Sequence, residues 1–485
     1  MTGLHALLAE YWPHVLFILS GVAGATAAVH AAMTKQDVRA AIAWVGVALF
    51  SPIFGAMLYL VAGINRVRKQ RITQPRAGTI YAEDVIERVL VHDVCAAAGA
   101  QFATLKVLGD RVSHFNVLNF NEIQTLRGGD ETYPAMLTAI RGATQSIALQ
   151  SYIFDHDVLG VEFAQALIEA QARGVQVRVL IDAVGSKYSH PPIINMLLKG
   201  GVKAALFMRP LFGLRLAYAN LRSHRKLLVV DGMHGFTGGM NIRAGFLTAV
   251  AKTEVTQDTH FELKGPIVHQ LIISFAHDWQ FTTQEKLKGP EWFAPALGQL
   301  IEQGIPMRCV ASGPDGTLGS THNMLLGALS VAQHHVRIQS PYFLPDLVLI
   351  AALSTAARRG ILVDIVVPGA NNLKLVNAAM MAQLDQLILT GCRIWQARGN
   401  FDHSKLCTVD GGWSYVGSSN IDPRSLRLNF ELDLEVYDRG FAAGLERQID
   451  GVIARAERIT IRTLRRQPFW LRLRNKVAWL ASPYL

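Results

Sequence analysis

The sequence predicts an α/β fold in two similar halves, each a largely parallel or mixed sheet flanked by helices, behind an N-terminal pair of membrane-spanning helices. Three observations lead there. Two uncharged apolar stretches, residues 14–32 and 40–64, open the chain. Beyond about residue 125 a strand–helix–strand pattern is written twice. Each copy then closes on the same device, "SHRKLLVVDG" from Ser223 and "DHSKLCTVDG" from Asp402.

Each apolar stretch is long enough to cross the roughly 30 Å of bilayer hydrocarbon as a helix. The first is rich in Ala and Gly; the second carries Trp44 and Tyr59, with Pro52 and Gly55, both tolerated in spanning helices. A cleaved leader is the competing reading of the first stretch, and no Lys or Arg precedes it as a leader requires. The connector offers Lys35 and Arg39, whereas Arg66, Arg68, Lys69, Arg71 and Arg76 follow the second stretch. The denser basic side should be cytoplasmic, so the N-terminus and the body are both expected there. That cluster is either a topology signal alone or also a seat for anionic headgroups.

Half of the residues are hydrophobic, 17% are charged, and the formal net charge is +10. That balance suits an anionic partner: nucleic acid, an acidic membrane surface or a phosphate-bearing substrate. Cys95, Cys309, Cys392 and Cys407 are scattered without CxxC spacing, which predicts reduced thiols rather than a disulfide scaffold or zinc site. There is no GxxxxGK[ST], HExxH or GxSxG. No metal or cofactor is expected.

The duplication is explicit. "SIALQSYIFDHDVLGVEFAQALIEAQARGVQVRVLID" from Ser146 is echoed by "HVRIQSPYFLPDLVLIAALSTAARRGILVDIVV" from His335. Each reads as strand, loop, amphipathic helix, Arg-Gly stop and second buried strand, an alternation that argues for βαβ units. After each comes His-x-Lys, four residues, Asp, and a Gly/Ser-rich turn leading to Asn. Alternation along a strand puts His224 and Lys226 on one face, with Asp231 at the turn; His403, Lys405 and Asp410 repeat the set. An unpaired Lys in such a core is costly, so something must compensate it. One HxK triplet arises by chance; two, each after the same supersecondary unit, do not.

The duplicated HxKxxxxD pattern resembles the phospholipase D superfamily. The whole chain is most similar to bacterial cardiolipin synthases with two transmembrane helices, through "AWVGVALFSPIFGAMLYLVAGINR", "GDETYPAML", "SYIFDHDVLG", "NLRSHRK", "SPYFLPD", "VGSSNIDPRSLRLNFE" and "LASPYL". The resemblance implies two phospholipase D-like halves facing across a pseudo-two-fold active site. It also implies an organisation: helices in 1–65, a basic juxtamembrane linker in 66–124, halves at 125–300 and 301–445, and a basic amphipathic segment at 446–485.

It further implies chemistry. Lys226 and Lys405 would neutralise phosphoryl oxygens as charge redistributes. One histidine would attack phosphorus and form a phosphohistidine, while the other protonates the leaving alkoxide and then activates the acceptor hydroxyl. The resemblance makes His224 the nucleophile and His403 the acid/base; the residues alone leave the pair nearly symmetric. A carboxylate downstream of each motif orients the histidine of that motif in the superfamily, and Glu431 matches that place in the second half and Asp258 in the first. Asn241 and Asn420 would give neutral donors to the phosphoryl oxygens, Ser418 is either a phosphate contact or a turn residue, and Asp231 and Asp410 complete the catalytic motifs, more as turn anchors than as reacting groups.

The expected reaction moves a phosphatidyl group between two phosphatidylglycerol molecules, giving cardiolipin and glycerol at a bacterial inner membrane. A hydrolytic phospholipase D, another phosphatidyltransferase and, more distantly, a membrane-anchored nuclease are the alternatives; nucleic acid is not the expected partner, and oligomeric state is left open. The C-terminal stretch 455–476 has eight basic residues and one acid, Glu457. It reads either as a membrane-surface element or as a solvated helix packed on the second half. "LFGLRLAYANLR" is either a lip over the site or a connecting loop, and "SGPDGTLGS" an ordinary turn.

Overall fold

The structure, a computed structural model, describes residues 2–35, 37–64, 89–208, 221–250, 255–294, 300–315 and 317–482. The basic cluster from Arg66 to Arg76 and most of the segment 211–222 lie outside them. The chain forms two units, a helical one within residues 1–68 and a body made by nearly all the rest.

In the first unit, helix Thr2–Thr34 contains an apolar stretch, Tyr11–Thr34, long enough to cross a membrane. The second apolar stretch departs from the expected single span. It breaks into Val38–Phe50 and Pro52–Leu58, followed by one wide turn, Tyr59–Gly63. Pro52 has no N–H to continue the helix, and Ser51 leaves the helical region at φ −138°. Small residues let the pieces close: a Cβ on Gly55 would lie 2.1 Å from the Val47 carbonyl oxygen. Ala27, Ala28, Ala31 and Ala48 are buried with Tyr59, whose hydroxyl meets His30 Nδ1 at 2.8 Å.

The body is built on one continuous mixed sheet. Its centre is an antiparallel pair, Leu118–Arg127 against Ile305–Ser312, with Leu118 opposite Met307. Outward from the first strand run Thr259–Lys264, His234–Gly238, Leu227–Val230, Ser146–Ser151, Gln176–Asp182 and Lys203–Phe207. Outward from the second run Asn429–Tyr437, Trp413–Gly417, Leu406–Val409, His335–Gln339, Leu362–Pro368 and Arg393–Ala397. The two series correspond strand for strand, except that Glu457–Ile459 adds one more strand beside Arg393–Ala397. Along this sheet the parallel pairs are those of the βαβ units, and the His-x-Lys hairpins pair antiparallel.

The connecting helices show why the repeat folds alike. Asp157 caps Val158–Ala172 by accepting from Gly160 N (2.9 Å), and Asp346 caps Leu347–Arg358 by accepting from Leu349 N (3.0 Å). Gly174 and Gly360 end them at φ 94° and 89°, where a side chain would be strained. Both helices bury their apolar faces in large clusters on the sheet.

The expected linker over 66–124 gives way from residue 89. Helix Ala103–Val112 and the central strand belong to the body. Arg308, fully buried, ties them in: it pairs with Glu435 and, at 2.8 Å, with Asp110. Gly109 makes room, since a Cβ there would lie 1.5 Å from the guanidinium.

Candidate active site

The two histidine segments are held by strands of the opposite half. Arg222–Ser223 runs parallel to Asn429–Phe430, and His224 N donates to Phe430 O at 2.8 Å. In the second copy Gln257 N donates to Phe401 O (2.9 Å) and His403 N to Gln257 O (2.7 Å). The crossing carries the side chains with it. His224 Nδ1 lies 2.9 Å from Glu431 Oε2, and His403 Nδ1 lies 2.8 Å from Asp258 Oδ2. Each half thus supplies the carboxylate for the other half's histidine. The imidazole rings are 6.5 Å apart, centroid to centroid, and nearly perpendicular. With Nδ1 engaged, Nε2 of each ring is the nitrogen left for chemistry.

Lys226 and Lys405 are buried behind these rings. Lys226 Nζ donates to His224 O at 2.6 Å and stands 5.5 Å from the Tyr152 ring; Lys405 Nζ donates to His403 O and lies 2.9 Å from His403 Nδ1. Asp231 and Asp410 are elsewhere. Each starts a hairpin turn in the left-handed region, at φ 52° and 51°, followed by a glycine that is also positive. Asp231 accepts from the N–H groups of Thr144, Gln145 and Ser146, and Asp410 from those of Gln333, His334 and His335. They tie hairpin to sheet and do not reach the histidines' cavity.

That cavity, about 690 Å³, is walled by both halves, including His224, His403, Asn241 and Asn420. Asn241 Oδ1 accepts from Ile153 N at 3.1 Å, and Asn420 Nδ2 approaches Ser425 Oγ at 3.4 Å. Ser418 is not on the wall: fully buried, it donates to Glu431 Oε2 at 2.6 Å. Glu431 and Asp258 also stand behind the histidines rather than on the cavity wall.

Sequence reasoning missed other wall residues. Tyr152 packs 5.3 Å from His224, and Tyr342 and Phe401 each 5.8 Å from His403. Arg222, Arg243, Arg424 and Asp422 also face the cavity. The tyrosines' signal was present in the paired "QSYIFD" and "QSPYFLPD"; the arginines carry no such repeat.

Burial dominates the electrostatics. It pushes the His224 imidazole down, with Glu431 partly holding it up, and His403 well down, with Lys405 and Lys226 adding to the effect. Burial brings Lys226 to about 7, against the pull of Glu431. Asp258 is pushed up to about 6 by burial, opposed by Lys405. Burial acts on Glu431 in the same sense, yet His224, Lys226 and Ser418 outweigh it and hold that carboxyl below its usual value. The site therefore holds two histidines ready as neutral bases beside two lysines, one of which is only half charged near neutrality.

Both halves, residues 136–279 and 325–453, match the family model described as "Cardiolipin synthase, PLD-like domain". Residues 24–63 match "Phospholipase D-nuclease N-terminal". Cardiolipin synthase A of Pseudomonas entomophila (strain L48) is 32% identical over 466 residues, 95% of this chain and 96% of that one. Cardiolipin synthase A of Pseudomonas aeruginosa (strain LESB58) is 33% identical over 468 residues, covering 96% and 94%. Among solved structures, phosphatidylserine synthase of Haemophilus influenzae Rd KW20 superposes with a TM-score of 0.61 at 16% identity, covering 79% of this chain and all of that one, which shows a shared fold. With both halves matched and nearly the whole length aligned, the chain belongs to the cardiolipin synthases of the phospholipase D superfamily, a class of phosphatidyltransferases.

Proposed function

We propose that the chain transfers a phosphatidyl group from one phosphatidylglycerol to the glycerol hydroxyl of a second, giving cardiolipin and free glycerol. The observation that carries this reading is the facing pair of imidazoles, each braced by a carboxylate from the other half. Nε2 of His224 attacks phosphorus. The bound anionic phosphodiester raises the proton affinity of His403, and the P–O bond to the departing glycerol breaks as His403, protonated in that complex, gives it a proton. A phosphatidyl-histidine remains, and the now neutral His403 takes the proton of the incoming glycerol hydroxyl as that oxygen attacks and frees His224. One phosphodiester replaces another, so the exchange needs no nucleotide.

Bound phosphate explains the buried lysines. An anion beside Lys226 would raise its proton affinity and offset the cost of burying its charge. Asn241 and Asn420 stand on the wall where neutral donors to phosphoryl oxygens are useful. We further propose that both apolar stretches, the second despite its break, anchor the chain in a bacterial inner membrane with the body on the cytoplasmic side; the Lys and Arg that follow the second stretch support that orientation.

The test is product identity. Purified chain with labelled phosphatidylglycerol as sole lipid is expected to yield cardiolipin and glycerol in equal amounts. Phosphatidic acid as the sole lipid product would mean that water is the acceptor and would overturn the transfer reading.

A further inference from the structure

Helix Phe469–Leu480 presents an exposed apolar stripe. Its opposite face is packed: Asn475 and Ala478 are buried, Ala478 clusters with Leu344, Ala378 and Ala379, and Trp479 Nε1 donates to Gln383 Oε1 at 3.1 Å. Outward, Phe469, Trp470, Leu473, Val477 and Leu480 are exposed, Trp470 by 75% and Leu480 by 71%. At roughly 100° per residue these side chains fall within about 100° of arc, with Arg472 beyond one border and Arg474 beyond the other. Arg462, Arg465 and Arg466, just upstream, are exposed as well.

Position gives the stripe a meaning. The helix rests on Lys374–Met381, and the turn leading into that helix forms part of the cavity wall through Leu373, with Val376 following. Leu373 and Leu375 are exposed by 47% and 53%. The same turn is tied to the chemistry, because Tyr342, beside His403, donates its hydroxyl to Asn372 Oδ1 at 2.6 Å. Exposed apolar side chains therefore stand both on this helix and, on the helix it rests on, at the rim of the cavity.

We infer that helix Phe469–Leu480, together with Leu373 and Leu375, docks on an anionic bilayer and brings the cavity rim to the headgroups. An interfacial helix needs this pairing of Trp, Phe and Leu with flanking Arg, and the arginines complement anionic lipid. A second copy seated on the same stripe by two-fold symmetry would oppose like-charged borders. The consequence for catalysis rests on the lipid-substrate reading above: a phosphodiester could enter the cavity while its acyl chains stay in the bilayer.

The experiment uses the full chain in vesicles of phosphatidylglycerol and phosphatidylcholine, with Cys95→Ser and Leu473→Cys carrying an environment-sensitive fluorophore. Cys309, Cys392 and Cys407 are buried and leave the label to position 473. Blue-shifted emission, quenched by brominated acyl chains, is expected. Water-like emission, or a blue shift without quenching in a chain that cross-links to a second copy, would overturn docking. In a second arm, Trp470→Ser/Leu473→Ser/Val477→Ser should slow turnover of vesicle phosphatidylglycerol by about tenfold or more and spare turnover of a monomeric short-chain analogue. Equal loss on both substrates, or loss on neither, contradicts the inference. If the unaltered chain forms cardiolipin from neither substrate, the lipid-substrate reading fails, and the fluorescence arm still decides docking.

Discussion

The two halves repeat each other most faithfully where they only support the fold, and differ most where they brace the histidines. Their hairpin turns coincide within about 5° of φ, and each aspartate gathers three consecutive N–H groups of its own half. Beside the histidines, Glu431 receives the Ser418 hydroxyl (2.6 Å) and the Asn429 amide (3.0 Å) as well as His224. The matching carboxylate, Asp258, receives Thr259 N–H (2.7 Å). Gly239 stands where Ser418 does and has no hydroxyl to give; a Cβ there would lie 2.3 Å from Asp258 Oδ1. Glu431 is held ionised, whereas Asp258 titrates at about 6. A duplicated scaffold thus offers two similar dyads with unlike proton affinities, as two complementary roles in one reaction require.

The largest expected effects challenge the division of labour itself. His224→Ala and His403→Ala should each cut turnover by roughly 10²–10⁴-fold or more, since one half cannot supply both nucleophile and acid/base. Steady-state assay of cardiolipin formation checks this, and appreciable turnover in either variant would dissolve the comparison.

Next comes the contrast between the carboxylates. Glu431→Gln removes a charge-assisted hydrogen bond, about 1.5–3 kcal/mol, so a slowing of about 10- to 150-fold is expected. Asp258→Asn should cost less near neutrality, because that carboxyl is already the more easily protonated. Side-by-side kcat values at one pH test the order; a larger loss for Asp258→Asn would reverse the assignment.

The same contrast predicts a pH profile. Asp258 is a carboxylate above about 6 and loses that form as pH falls through it. Lys226 is charged below about 7 and loses its charge as pH rises. The ratio kcat/KM should therefore fall on both sides of a narrow optimum between these values, and Asp258→Asn should remove or displace the acid limb alone. An unchanged acid limb in that variant would show that another group sets it.

Much of this was legible in the sequence. The repeat, the His-x-Lys pairs and the helix caps are local patterns that the chain states within a few residues. The crossing was not, because His224 and Glu431 are 207 residues apart and His403 and Asp258 are 145 apart. Ser418 hid its role for a different reason: it sits in a turn beside the site, yet its hydroxyl faces a carboxylate on the paired strand. The strand Leu118–Arg127 was missed because polar side chains dominate it and its alternation breaks where Asn121 and Glu122 follow one another, next to a register shift against Ile305–Ser312. The break after Phe50 could be seen as Pro52, a residue that spanning helices also tolerate.

Smaller effects sharpen the contrast. Ser418→Gly gives Glu431 the surroundings of Asp258 and removes a hydroxyl that donates to Glu431 and accepts from Leu432 N–H; with the Glu431 charge kept, a slowing of about fivefold, about 1 kcal/mol, is expected. Asp231→Asn and Asp410→Asn keep a residue that tolerates positive φ and should leave kcat nearly unchanged. Both should lower Tm, and by similar amounts, because the turns they hold are alike; thermal unfolding with activity measured on the folded enzyme checks that.

Trapping the covalent intermediate examines the shared site without relying on rates. Enzyme mixed with phosphatidylglycerol labelled in its phosphatidyl group, then quenched at alkaline pH, should carry up to one acid-labile phosphatidyl group per chain, on His224, and none in His224→Ala. Label on His403, or cardiolipin formed by a route that never labels the chain, would contradict the arrangement proposed for the two halves.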